Sequence, residues 1–230
     1  MKLKTALFIV MNGFASLTSS MAQSNIIQIS NQQKKVAITY SSAESKLAAE
    51  ILYSYLEKSL PNTFEIKDKN ITKSDAQIIL EIQKNNKELK DQEFILKSNS
   101  QDISLLATNL KSLKYAVYTL LEKWEFRKFT ATVSYIPKPD AFIFPKNFYQ
   151  KYQPTFAYRT LLYPDSYDQA FREWHKLDWF NDDFGLWGHT FDRLVPPKTH
   201  FKTNPKLYAL YEGKRRAESL CMTNDTVVEL

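Results

Sequence analysis

Residues 36–61 read VAITYSSAESKLAAEILYSYLEKSLP, and this stretch decides the fold class. Val36, Ile38 and Tyr40 alternate with Ala37 and Thr39, the period of a strand with one face buried. Ser41 followed by Glu44 has the spacing of a capping box. Leu47, Ala48, Ile51, Leu52, Tyr55 and Leu56 then recur at helical spacing, and Pro61 marks the stop. A strand running through a cap into an amphipathic helix is the opening of an α/β unit.

Outward from that stretch, strand-like runs lie at 64–67 and 76–82, where Ile78, Leu80 and Ile82 share a face. Two more, at 93–97 and 102–107, flank the polar turn Ser98-Asn99-Ser100-Gln101. A second helix over 109–124 carries the stripe Leu110, Leu113, Val117, Leu120, Leu121 and Trp124 for packing on a sheet. Residues 23–136 therefore read as a small two-layer α/β domain.

From Pro137 the texture changes. Pro137, Pro139, Pro145 and Pro154 punctuate residues 137–154, which read as a linker. Residues 142–211 hold 19 of the 32 aromatic residues, so the chain beyond the linker has apolar surface of its own to bury. Strands are expected at 158–163, 184–190 and 218–223, with helices at 167–177 and 205–211. That alternation is the rhythm of a parallel sheet. A (β/α)8 barrel takes roughly 250 residues, whereas 76 follow Pro154. Residues 155–230 are thus read as the first strands and helices of an incomplete (β/α)8 barrel, the front end of a longer protein.

Composition removes several function classes. Four glycines, with none between Phe14 and Phe184, allow neither G-x-G-x-x-G nor a P-loop. They also disfavour primed two-residue hairpin turns over that interval. One cysteine, Cys221, excludes an intrachain disulfide and a cysteine-built zinc site. The N-terminus reads as a signal peptide over 1–22: Lys2 and Lys4, an apolar run to Leu17, then Ser20-Met21-Ala22. The run is too short to span a membrane. The mature protein is expected in the periplasm or outside the cell, where its 29 basic and 25 acidic residues, well interspersed, form a solvated surface and not a nucleic-acid site.

Few residues carry chemical promise. His189 ends the run Phe184-Gly185-Leu186-Trp187-Gly188-His189-Thr190, at the C-terminal end of an expected strand, where barrel enzymes place functional groups. Trp187 offers a face for a sugar, and Asn224 follows another expected strand. Arg159, near the start of the first, suits a substrate contact or a structural ion pair. His189, Trp187, Asn224 and Arg159 are the candidate substrate-binding residues. Asp182 and Asp183 are adjacent and precede a strand, which suits a solvated loop better than a glycosidase pair. His175, His189 and His200 match no compact metal-ligand spacing, so neither metal nor cofactor is expected. His175 reads as a packed or surface residue, and Cys221 as a buried small hydrophobe inside its strand.

The helix 109–124, with Tyr115-Ala116-Val117-Tyr118 and Leu121-Glu122, resembles the last helix of the small α/β domain that precedes glycoside hydrolase family 20 and α-glucuronidase barrels. The usual G-x-R turn after it reads Glu125-Phe126-Arg127 here. Phe156-Ala157-Tyr158-Arg159 looks like the beginning of barrel strand one. Trp187-Gly188-His189-Thr190-Phe191, Asn204-Pro205-Lys206-Leu207-Tyr208-Ala209-Leu210, Gly213-Lys214-Arg215 and Leu220-Cys221-Met222-Thr223-Asn224 resemble domain-of-unknown-function family 4838. The usual H-P-E-Y-F of that family reads N-P-K-L-Y in this chain. The resemblance implies a hexosaminidase-like domain followed by a TIM-type barrel, in an exported bacterial protein. In family 20 enzymes the acid/base carboxylates come from a later strand. The expected activity is therefore that of the N-terminal portion of a glycoside hydrolase-like protein acting on a glycan or polysaccharide, and the alternative is a non-catalytic carbohydrate-binding or surface-interaction protein.

Overall fold

A computed structural model describes residues 25–32, 35–69, 77–179, 188 and 190–230. The leader expected at 1–22 and most of the strand expected at 184–190 lie outside the described residues. The chain divides into two compact units, one up to Leu177 and one from Asp178.

In the first unit, β1 (Ile26–Ser30), β2 (Val36–Tyr40), α1 (Ala43–Ser59), β3 (Phe64–Asp68), β4 (Gln77–Ile82), β5 (Phe94–Ser98), β6 (Ile103–Ala107) and α2 (Leu110–Lys123) follow in order. Short strands β7 (Arg127–Lys128) and β8 (Ser134–Tyr135) precede β9 (Ala141–Pro145) and β10 (Tyr149–Tyr152). The main sheet has the order β10-β5-β6-β4-β2-β3. Its β6, β4, β2 and β3 are mutually parallel, while β5 runs antiparallel to both β6 and β10. Helices α1 and α2 pack on one face of this sheet and on each other. Ile38, Ile78, Leu80, Leu96, Ile103 and Leu105 fill the interface between the layers.

The local details depart from the sequence pattern in instructive ways. The cap of α1 is Ser42, not Ser41. Ser42 Oγ accepts from Ser45 N at 3.1 Å, and Ser45 Oγ accepts from Ser42 N at 2.9 Å. Glu44, freed from that duty, lies 3.3 Å from Lys84. Leu47 is 50% exposed, because the buried stripe runs through Ser45, Ala48, Ala49, Leu52 and Leu56. Small residues there bring the helix close to its neighbours. Strands β5 and β6 and helix α2 stand where periodicity put them, and the four residues 99–102 close the β5–β6 hairpin without a glycine.

Residues 137–154, read as a linker, instead carry β9 and β10. Strand β9 pairs antiparallel with β1, and β10 adds an edge strand beside β5. The proline punctuation is tolerated because Pro145 ends β9 on a two-stranded ribbon, where a missing N–H costs no central ladder bond. Phe142 and Phe144 point into the core, with the Phe142 ring stacked 4.7 Å from Trp124 and 5.9 Å from Phe126. Burying each such ring contributes about 1.5–3 kcal/mol. Edge strand β10 is pinned by Lys151, whose Nζ lies 2.8 Å from the buried Glu93 carboxylate.

The first unit also keeps the segment beyond Pro154. Residues 158–163, expected as a strand, pair with no described strand and lead into a 3-10 turn (Pro164–Tyr167) and the six-residue helix α3 (Gln169–Trp174). Trp174 is buried against the rings of Tyr55 (5.5 Å) and Tyr118 (5.3 Å), which ties α3 to α1 and α2. Lys114 reaches Glu173 at 2.7 Å and Lys176 reaches Glu122 at 3.0 Å.

The second unit holds α4 (Phe191–Leu194), α5 (Pro197–His200), a 3-10 turn (Pro205–Leu207), β11 (Tyr208–Tyr211), β12 (Lys214–Leu220) and α6 (Asp225–Glu229). The helix expected at 205–211 is a single 3-10 turn followed by a strand. The strand expected at 218–223 begins at Lys214 and pairs antiparallel with β11, not in a parallel sheet. Glu212 (φ 47°) and Gly213 (φ 73°) explain both corrections. Two left-handed residues in succession make a primed turn, which folds the chain straight back on itself. Val195, Leu207, Tyr208, Leu220 and Val227 form this unit's small core. The described architecture is thus a mixed α/β fold built on a mixed sheet.

Candidate functional site

Of the candidate residues that the structure describes, Arg159 lines a cavity. It belongs to the first unit and is half-buried. Its guanidinium donates from Nη2 to Gln92 Oε1 at 2.6 Å, from Nε to the Lys176 carbonyl at 2.8 Å, and from Nη1 to the Phe156 carbonyl at 2.6 Å. Its centre lies 5.9 Å from the centroid of the Tyr115 ring, a cation–π distance. Arg159 therefore joins three separate parts of the chain.

Two of its partners hold unusual backbone. Gln92 has φ 64° and Lys176 has φ 58°. A side chain in the left-handed region costs about 1–2 kcal/mol. At Lys176 the cause is the end of α3. Leu177 N donates to Arg172 O at 2.9 Å and Lys176 N to Glu173 O at 3.2 Å, the two bonds of a Schellman cap. The same pair of bonds ends α2, where Phe126 N reaches Leu121 O and Glu125 N reaches Glu122 O, both at 3.1 Å. Glu125 (φ 67°) thus occupies the position that glycine usually takes after such a helix. Gln92 has no helix to account for its conformation. Its side chain accepts from Arg159 and donates from Nε2 to Ala157 O at 2.8 Å, so the turn before β5 is fixed from outside.

Beside this clamp lies a pocket of about 220 Å³. Phe94 and Tyr152 form one wall, their rings stacked 4.7 Å apart at 13°. Tyr115 contributes a second aromatic surface, and Gln153, Pro154 and His175 complete the lining with the clamp residues. His175 caps α3 with its ring 4.3 Å from Phe171 and its Nε2 2.9 Å from the Lys128 carbonyl, a contact in which the ring donates. The described lining contains two glutamines, the cationic Arg159 and Lys176, and the His175 imidazole. Such a pocket can hold a ring by its apolar face and hydrogen-bond its rim.

The other candidates are placed differently. Asn224, in the second unit, caps α6: its Oδ1 accepts from Thr226 N and its Nδ2 donates to Lys206 O, both at 3.0 Å. Trp187 and His189 lie outside the described residues. Cys221 sits just past β12 and is half-exposed, not buried within the strand, because the strand ends when Cys221 N turns to Leu207 O at 2.8 Å. Among the described residues no group of three or more His, Cys, Asp or Glu side chains could hold a metal ion. No described helix is long and apolar enough to cross a membrane.

Comparison with known proteins places the C-terminal part of the chain. Residues 128–230 match the family DUF4838, a domain of unknown function. The match takes in Arg159 and the motifs from Trp187 to Asn224. No curated protein matches the chain. Among solved structures, a family 20 exo-β-N-acetylglucosaminidase from Vibrio harveyi aligns twice, as an inactive mutant and in complex with N-acetylglucosamine. Identity is 18% and the TM-score 0.39 in both cases, over 59% and 58% of this chain. The chain spans 18% of the length of those structures.

The pattern of the sequence identified Arg159 but not the residues that build its pocket. Gln92 sits just before an expected strand, Phe94 lies within it, and Tyr115 is on the second helix outside its apolar stripe. Tyr152 fell in the supposed linker.

Proposed function

We propose that this chain is part of an exported glycoside hydrolase-like protein that acts on a glycan or polysaccharide, and that the pocket beside Arg159 binds a sugar ring. The observation that carries the reading is the pairing of a stacked aromatic wall, Phe94 and Tyr152, with an immobilised Arg159 that lies within the DUF4838 match. Aromatic faces take the C–H side of a pyranose, and a guanidinium donates to its hydroxyls. The leader over 1–22 supports export, and the resemblance of the motif series to a family from polysaccharide-degrading bacteria supports the substrate class. The acid/base carboxylates belong to a later barrel strand in this reading, as they do in the family 20 enzymes that the sequence resembles. Trp187 and His189, which lie outside the described residues, are further sugar-contacting residues in this reading.

The stacked wall of Phe94 and Tyr152 favours a second reading, in which the chain binds a glycan without cleaving it. Both readings are tested together by a glycan array on this chain and a hydrolysis screen of p-nitrophenyl pyranosides and soluble polysaccharides with the full-length natural protein. Array binding with hydrolysis supports the first, and array binding without hydrolysis supports the second. A blank array with no hydrolysis overturns both.

A further inference from the structure

The hairpin of the second unit contains a large irregularity. Tyr211 pairs with Lys214 and Leu210 with Arg215, yet the next pair is Tyr208 with Leu220. One residue of β11, Ala209, therefore faces four of β12, Arg216 to Ser219. A simple bulge has one extra residue. This one has three, so the strand arches away from its partner and leaves a hollow on each side. The hollow between the strands, about 410 Å³, is lined by Leu210, Tyr211, Arg216, Glu218 and Ser219. The hollow on the outer side, about 580 Å³, is lined by Phe191, Asp192 and Met222, again with Glu218 and Ser219. Both volumes are in the range of small-molecule sites, about 300–1,000 Å³.

Packing fixes the far end of the arch, where Leu220 is buried in the small core, but not its middle. Arg216, Glu218 and Ser219 are all exposed, and among the described residues no hydrogen bond or ion pair engages Arg216 or Glu218. Its neighbour Arg215 does have a structural bond, from Nη1 to the Tyr208 carbonyl at 2.8 Å. Tyr211 is 61% exposed beside the inner hollow. A long bulge costs ladder hydrogen bonds, and bulges of this kind re-aim side chains at binding sites.

The chemistry of the arch selects its ligand. Glu218 only accepts hydrogen bonds, Arg216 only donates them, and Ser219 does either. In the 410 Å³ hollow a phosphate or carboxylate ligand meets repulsion from Glu218, and a cation meets it from Arg216. A vicinal diol satisfies both signs at once, accepting from the guanidinium through one oxygen and donating to the carboxylate through another. Tyr211 supplies a face for the apolar side of the same ring. We infer that the arch Arg216–Ser219 is a second saccharide-binding site, taking a neutral pyranose through adjacent hydroxyls. The inference rests on the proposed action on glycans but names a site separate from the Arg159 pocket.

The test is isothermal titration of the whole chain with cellotetraose, xylotetraose and chitotetraose, and with inorganic phosphate as the charge-only probe. The proteins are the unaltered chain, R216A, E218Q and R159A, with folding checked by circular dichroism. Because Arg216 and Glu218 are exposed, their replacement leaves the fold intact, and E218Q preserves the shape of the side chain. The expected result is saturable binding of at least one tetrasaccharide, weakened about tenfold or more in both R216A and E218Q. Binding lost in R159A and unchanged in R216A and E218Q assigns the ligand to the first pocket alone, which keeps the proposed function and overturns this inference. Phosphate binding without saccharide binding also overturns it. No binding of any saccharide overturns the inference and the proposed function together.

Discussion

Replacing Arg159 tests whether the pocket is held in shape by one side chain. The guanidinium makes three hydrogen bonds of 2.6–2.8 Å, to Gln92, Phe156 and Lys176. A hydrogen bond to a charged group is worth about 1.5–3 kcal/mol net. Simple addition overstates the loss here, because Arg159 is only half-buried and water reaches the two released carbonyls. We expect R159A to destabilise the first unit by about 2–3 kcal/mol, including a contribution of roughly 0.5–1 kcal/mol from the contact with Tyr115. R159K keeps the charge but cannot span three divergent acceptors, so its cost is about 1.5–2 kcal/mol. A double-mutant cycle of R159K with Q92A should give a coupling of about 1 kcal/mol. Urea unfolding followed by far-UV circular dichroism and tryptophan fluorescence reads all three values. An R159A variant within about 0.5 kcal/mol of the parent, the range of ordinary surface substitutions, refutes the clamp.

Three further outcomes follow from the same coordinates. E125G should stabilise the protein by about 0.5–1 kcal/mol: it relieves a left-handed side chain but loosens the unfolded chain. Its thermal midpoint should rise about 2–3 °C in calorimetry. K151M strands the buried Glu93 carboxylate and should cost about 3 kcal/mol, much of it recovered in an E93Q/K151M double variant, by urea denaturation. Burial pushes the Glu173 carboxyl up, but hydrogen bonds from Lys114, Gln169 and Tyr118 outweigh it and hold the group below the usual carboxylate range. A depressed folded-state value means stability that is present above the unfolded value of about 4.3 and lost as pH falls through the folded one. Urea midpoints measured from pH 7 to pH 3 should fall less steeply in E173Q than in the parent.

The elements legible in the sequence are those whose burial pattern is local. Strand β2, helix α1, the β5–β6 hairpin and helix α2 each display their period within one segment. Strand β1 was invisible because Ile27 and Ile29 are buried by Phe142 and Phe144 of β9, more than a hundred residues away. Strands β9 and β10 were masked by prolines at their margins. Residues 158–163 carry the composition of a strand, with Tyr158, Leu161, Leu162 and Tyr163, but each of these four side chains is over 40% exposed and the segment has no described partner. Composition alone cannot supply a neighbouring strand. At the site, Arg159 was legible only as a basic residue near the start of an expected strand. Its meaning depends on Gln92 and Lys176, whose left-handed backbone no residue type announces. Asn224 was legible as a polar residue after a strand; its amide oxygen caps α6 and its amide nitrogen ties that end to Lys206.

The account stands most directly on whether the first unit recognises a sugar. The decisive measurement is a ¹H–¹⁵N NMR titration of the chain with neutral oligosaccharides, following the Arg159 Nε–H and the side-chain amides of Gln92 and Gln153. The account predicts saturable shifts of these resonances with at least one saccharide, and their loss when Phe94 and Tyr152 are both replaced by leucine in a folded variant. Unchanged spectra at millimolar concentrations of every saccharide, with the protein folded, would contradict it.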